Sequence, residues 1–251
     1  MGVLDGRPAI VTGAGRGVGK GIALALAAEG ALVAVVERTE ETLGDTCAEI
    51  EARGGTSIPV VCDVRDLDAI THAVDTVVDA FGGVRILVNN AQIPGEGLML
   101  EVTEEAVDDA WRSGPLAVLR FMRLCHPHLR DGGAVVNISS GASLLAGPPG
   151  LAAYAAAKAA LQTFSRAAAV EWGVDGIRVN TVQPRVATPA FEQWAKENPD
   201  SFAAAVDHVP MRRMADAELD VGRAVVFLVG PDAAMITGTI VPVDGGSAYL
   251  R

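Results

Sequence analysis

The chain has 251 residues, half of them apolar, so it can bury a substantial core and is not a disordered protein. Its 20 basic and 31 acidic side chains leave a formal net charge of −11, which argues against nucleic acid or an anionic membrane surface as a partner. The three cysteines, Cys47, Cys62 and Cys125, are odd in number and widely spaced, the pattern of reduced thiols with no metal cluster.

In chain order, β-branched runs at 9–13, 32–37, 58–64, 85–91, 134–140, 177–182 and 239–246 predict strands. They are apolar throughout instead of alternating, as strands buried on both faces are. Between them, helices are predicted at 17–29, 40–53, 66–81, 103–130, 153–173 and 216–230. Strand–helix alternation over the whole length predicts one α/β domain, residues 1–251, a doubly wound parallel sheet of about seven strands with helices on both faces. Residues 184–215 break the rhythm with four prolines, two phenylalanines and Trp194. They follow the sixth strand, beyond the carboxyl edge where open α/β sheets bind ligands, and are expected to form a substrate lid. No apolar run is long enough to cross a membrane, and no secretory signal precedes the first strand, so a cytoplasmic location is expected.

Directly after the first strand comes "TGAGRGVGK", residues 12–20, opening into an alanine-rich helix. Glycines there let the backbone approach a pyrophosphate, and the helix N-terminus offers free N–H groups to it. Gly13, Arg16, Gly17, Val18 and Gly19 are the candidate contacts of a dinucleotide. At the end of the second strand, Glu37 stands where a carboxylate accepts from the adenosine ribose and repels a 2′-phosphate, which favours NAD. Arg16 and Arg38 could instead grip that phosphate, leaving NADP open. After the third strand, "CDV" places Asp63 and Val64 at the adenine. After the fourth, "NNA" sets Asn90 and Ala91 alongside the nucleotide.

These features, followed in order by "NISS" (137–140), Tyr154-x-x-x-Lys158, "RVN" (178–180) and "TG…VDGG" (237–246), resemble the classical short-chain dehydrogenase/reductase family over nearly the whole chain. The resemblance implies a Rossmann-type fold, a nicotinamide dinucleotide, and Tyr154 as catalytic acid/base. A free tyrosine hydroxyl is a poor base at neutral pH, and Lys158, one helical turn on, would favour the phenolate by its charge. The lysine is also implied in binding the nicotinamide ribose. Ser140 is the implied donor to the substrate oxygen, although it lies fourteen residues before the tyrosine where the family has thirteen. The extra residue is assigned to the turn "AGPPG", 146–150; Ser139 and Ser143 are the lesser candidates. Pro184, Val186 and Thr188 match positions that hold the nicotinamide.

Three positions depart from the family. Its helix asparagine, which supports a water-mediated proton relay through the lysine, falls on Gly114. "NNAG" becomes "NNAQ", placing Gln92 near the nicotinamide side of the cleft, and "PG" after the sixth strand becomes Pro184-Arg185. Gln92, Arg185 and Trp194 are the candidate substrate contacts, and Arg185 would meet either a substrate carboxylate or solvent. His126 and His128 lack further ligands and read as structural, at or near an oligomer contact.

The expected function is NAD-linked interconversion of a secondary alcohol and a ketone. Phe191, Trp194, Phe202, Met211 and Met214 on the lid favour an apolar substrate such as a hydroxysteroid, acyl thioester or polyketide. The alternatives are an NADP-dependent 3-oxoacyl-type ketone reductase, and a dinucleotide-binding sensor that has lost turnover. The family resemblance also implies a homodimer or homotetramer paired through helices 103–130 and 153–173.

Overall fold

The computed structural model describes residues 2–144, 149–187, 193 and 195–248. Seven strands form one parallel sheet: β1 (Pro8–Thr12), β2 (Leu32–Glu37), β3 (Thr56–Val61), β4 (Ile86–Asn89), β5 (Ala134–Ile138), β6 (Arg178–Pro184) and β7 (Ile240–Val243). Their spatial order is β3-β2-β1-β4-β5-β6-β7, so the chain reverses direction across the sheet between β1 and β4. Loops leaving those two strands diverge there and open a crevice.

The continuous apolar runs have a direct cause in the two cores. Ala9, Val11, Val33 and Val35 face one core, with helices α1 (Gly17–Ala28) and α2 (Glu40–Ala52) and the helix at Arg223–Val229. Ile10, Ala34 and Val36, the alternate positions of the same strands, face the other. That second core is closed by α3 (Leu67–Phe81), by the helix at Ala117–Leu129 around Phe121 and Met122, and by the 21-residue helix Ala152–Trp172. The apolar residues of the central strands are therefore buried whichever way they point, whereas the edge strands β3 and β7, also expected to be buried on both faces, are largely exposed or half-buried. All three cysteines are buried and unpaired.

The predicted helix 103–130 is not one helix. It divides into α4 (Glu104–Trp111) and α5 (Ala117–Leu129) through a π-helical turn at Arg112–Leu116. Gly114 takes non-helical angles (φ −96°, ψ −105°), and Pro115 has no N–H to bond back into the preceding turn. Serine, glycine and proline at 113–115 were the available sign of the break.

At the amino edge of the sheet, three arginines bind backbone carbonyls. Arg7 donates to Val229 and Gly132, Arg85 to Arg130, and Arg178 to Leu228 and Gly230. Several of these carbonyls end helices, where the backbone dipole is negative. Among the described residues, no helix is long and apolar enough to cross a membrane.

Candidate active site

A cavity of about 700 Å³ lies along the carboxyl edge of the sheet. At its start, Thr12 and Asn90 fix the loop after β1. The Thr12 hydroxyl accepts from the N–H groups of Asn90 and Ala91 (3.0 and 3.1 Å), while the Asn90 amide donates to the Thr12 and Gly13 carbonyls (both 3.0 Å). Gly13 has φ +65°, and a Cβ there would sit 2.8 Å from the Asn90 amide nitrogen. Gly13, Arg16, Gly17 and Val18 line the cavity, as do Asn90 and Ala91. Gly19 does not, contrary to expectation. It is buried behind the loop, where a Cβ would come 2.1 Å from the Gly13 carbonyl oxygen, so its role is to let the helix approach the loop.

At the adenosine end, Glu37, Arg38, Asp63 and Val64 line the cavity. The Glu37 carboxylate accepts from the Arg38 N–H (2.8 Å). Asp63 is held by Arg65, whose guanidinium also reaches Asp109 on α4 (2.8 Å), and hydrogen bonds from Arg65 keep its carboxyl below the usual carboxylate range. A carboxylate has lone pairs left after such a bond, so Asp63 can still accept from a base. This cradle fits a dinucleotide: a glycine loop in which Gly13 and Gly17 take positive φ (65° and 55°), an uncapped helix start at Arg16, and an acceptor at the end of β2.

At the other end, Ser140, Tyr154 and Lys158 converge on the same cavity. The helix Ala152–Trp172 sets Tyr154 and Lys158 on one face, with Lys158 Nζ 5.6 Å from the Tyr154 ring centroid. Lys158 is buried and donates to the Ile138 carbonyl (2.6 Å). Burial moves both groups toward neutrality: it pushes the Lys158 ammonium down to about 7 and raises the Tyr154 phenol. The opposing influence on Tyr154 is the nearby Ser140 hydroxyl, which favours the phenolate. The lysine charge, expected to draw the phenol down, does not offset this burial. Ser139 and Ser143 both accept from Gln162 (2.8 and 2.6 Å), while the Ser140 hydroxyl oxygen accepts from the Ala142 N–H (3.2 Å) and lines the cavity together with Tyr154. Part of the turn assigned the extra residue, 145–148, lies outside the described residues.

Pro184, Arg185 and Val186 also line the cavity, and Gln92 forms its wall beside α4. Thr188, Phe191 and Trp194 lie outside the described residues. Of the other lid residues expected to face an apolar substrate, Phe202, Met211 and Met214 are not among the cavity's lining, and Met211 is exposed. Ile93, Ser113 and Leu151 also line the cavity with no motif to mark them, as does Ile138 of "NISS". Ser113 accepts from the Ile93 N–H (2.9 Å), and Ile138 supplies the carbonyl that holds Lys158. His126 pairs with Asp175 (3.0 Å) and meets Trp172 edge-on, a structural arrangement.

Gln92 and Gly114 share one space. A Cβ on Gly114 would lie 2.9 Å from the Gln92 carboxamide carbon and nitrogen. Gln92 thus delivers a carboxamide from the loop over the position where the family resemblance expects an asparagine on the helix. Gly114→Asn alone is therefore expected to destabilise by about 1–3 kcal/mol through overpacking, and Gln92→Gly in the same chain to recover most of it. Urea denaturation of the single and double variants checks this; equal losses in both would mean the two residues do not compete for one space.

The comparisons agree with this geometry. A family model described as enoyl-(acyl carrier protein) reductase matches residues 13–248. The 12α-hydroxysteroid dehydrogenase of a Clostridium species is 38% identical over 98% of each chain. A short-chain dehydrogenase from Burkholderia cenocepacia, solved in complex with NADP, superposes with a TM-score of 0.90 at 35% identity, covering 97% of this chain and 98% of that one. A 7α-hydroxysteroid dehydrogenase complexed with NADH and 7-oxo glycochenodeoxycholic acid gives 0.91 at 30% identity, covering 99% and 97%. The chain is an oxidoreductase with a Rossmann-type fold. It belongs to the short-chain dehydrogenase/reductase family, whose members act on CH–OH groups with NAD or NADP.

Proposed function

We propose that the protein interconverts a secondary alcohol and a ketone, with Tyr154 as general acid/base, Ser140 as donor to the substrate oxygen and Lys158 as the group that holds the nicotinamide ribose. The observation that carries this reading is the convergence of all three on the cavity whose far end is the glycine loop. The bound dinucleotide supplies the hydride acceptor or donor. In the oxidative direction the alcohol C–H bond breaks with its electron pair leaving as hydride, and Tyr154 takes the hydroxyl proton. In reduction it returns that proton to the oxygen. Ser140, which lines the cavity with the phenol, would lower the cost of charge on that oxygen. Gly13, Arg16, Gly17 and Val18 would hold the pyrophosphate side, Asp63, Val64, Asn90 and Ala91 the adenosine and its approach, and Pro184, Val186 and Thr188 the nicotinamide.

NAD is the favoured cofactor, because Glu37 lines the ribose end of the cavity. The NADP reading has its own support: Arg16 and Arg38 line the same end, are exposed, and have no carboxylate partner among the described residues. Separate titrations with NADH and NADPH, followed by tryptophan fluorescence, discriminate the two. Glu37→Gln is expected to raise affinity for NADPH relative to NADH by about tenfold or more, since it removes a like charge from the 2′ position. An unchanged ratio would take Glu37 out of cofactor choice. The subunit is proposed to work as a homodimer or homotetramer in the cytoplasm, paired through α4–α5 and the helix 152–172, where Trp111 and Val170 remain exposed.

A further inference from the structure

At the nicotinamide end of the cavity stands a guanidinium with unused hydrogen-bonding capacity. Arg185 closes β6: its backbone N–H donates to the Val243 carbonyl (3.0 Å) and its carbonyl accepts from Ala215 (2.9 Å), so the main chain is fixed from both sides. The side chain is not. Among the described residues its Nε is buried with no hydrogen-bond partner, and Nη2 makes only a 3.4 Å contact with the Ala205 carbonyl. No carboxylate pairs with it among the described residues, although the chain carries 31 acidic side chains against 20 basic ones. Arg53, Arg65, Arg130, Arg212, Arg213 and Arg223 all have such partners.

Charge along the cavity is divided. The acidic residues lining it, Glu37 and Asp63, follow β2 and β3 at the adenosine end. Arg185 ends β6, four strands from β2, or about 19 Å at the usual strand spacing. It is therefore well separated from the adenosine ribose, and two strands, β4 and β5, lie between it and the phosphate loop after β1. Nε and Nη2 form the side-on edge of a guanidinium, the edge that meets the two oxygens of a carboxylate in parallel hydrogen bonds. That edge holds one long contact and one empty donor. Nε is buried and Nη2 points to the Ala205 carbonyl, so the guanidinium has to turn off that carbonyl to present this edge to the cavity; the turn gives up one long contact, and an anion there gains both donors.

We propose that Arg185 is a specificity-determining residue and that the substrate carries a carboxylate, bound side-on by Nε and Nη2 while its hydroxyl or keto carbon faces Tyr154. This rests on the function proposed above and adds the class of compound that it acts on. An arginine at this place selects against uncharged ketones of the same shape, because they leave its buried donor unpaired.

Binding and turnover test it separately. The NADH-loaded protein is titrated with hexanoate, decanoate and the corresponding primary amides, following nicotinamide fluorescence. The carboxylates are expected to bind at least about tenfold more tightly than the amides. Arg185→Gln is expected to erase that difference, and Arg185→Lys to keep part of it while showing that the site still folds. Equal binding of acid and amide, a preference that survives Arg185→Gln, or saturation by none of the four probes would overturn the proposal. On the wild-type enzyme, 5-oxohexanoate and 9-oxodecanoate are compared with their methyl esters, and a higher kcat/KM for the free acids is the expected result. Turnover of esters and acids alike would sink the carboxylate while leaving the oxidoreductase reading intact. Carboxylate binding that needs Arg185, with no turnover of any ketone, would instead sink the assigned reaction.

Discussion

Tyr154→Phe is expected to lower turnover by about 10²–10⁴-fold while leaving NADH affinity within a factor of about two. The ring stays, so its packing and its place beneath Lys158 Nζ are kept; only the hydroxyl is lost. The split between the two measurements is the point of the test. A parallel fall in NADH binding would mean the substitution had disturbed the pocket, and full activity would mean that the proton travels by another group. The same result bears on the idea of a sensor without turnover, since a protein that only binds dinucleotide has nothing to lose at this hydroxyl.

Lys158→Met should have two effects of opposite sign. Turnover falls, by about 100-fold or more, with the loss of the group proposed to hold the ribose beside Tyr154. Folding stability rises. Burial lowers the lysine from 10.5 to about 7, so the unfolded chain holds the extra proton between those values. Wild-type stability therefore rises with pH across that window and is penalised below it. At about 1.4 kcal/mol per unit the penalty is up to about 5 kcal/mol below pH 7. Methionine removes it but leaves the Ile138 carbonyl without its donor, a loss of about 1–3 kcal/mol. The net expectation is a variant about 2 kcal/mol more stable at pH 6, with the advantage gone by pH 10. Urea denaturation without dinucleotide at pH 6, 8 and 10 measures it. A variant that is less stable at pH 6, or a difference that ignores pH, would refute the account of a lysine held at a cost to the fold.

The sheet was legible from sequence for a physical reason. In β1 and β2, odd- and even-numbered positions serve different cores, so the code at these positions is simply apolarity. Glu37 and Asn90 were legible because a polar residue at the carboxyl end of such a run has nowhere to go but the crevice. The break within 103–130 was marked in the sequence only by Ser113-Gly114-Pro115. The shared space of Gln92 and Gly114 could not be read at all: the residues lie far apart in the chain, and tertiary folding alone brings them together. Burial likewise decides the proton affinity of Lys158, and no spacing rule contains it.

The arginines at the amino edge have a consequence for how such an enzyme can change. Arg7, Arg85 and Arg178 tie strand starts to the exits of helices on both layers, using guanidinium-to-carbonyl bonds that involve no residue of the cavity. The scaffold is anchored at one rim and does its chemistry at the other. Residues 92, 114 and 185 can be exchanged at the working rim while the anchored rim keeps the strands in register. New specificity is then a matter of redecorating loops, and the foundation need not be relaid each time.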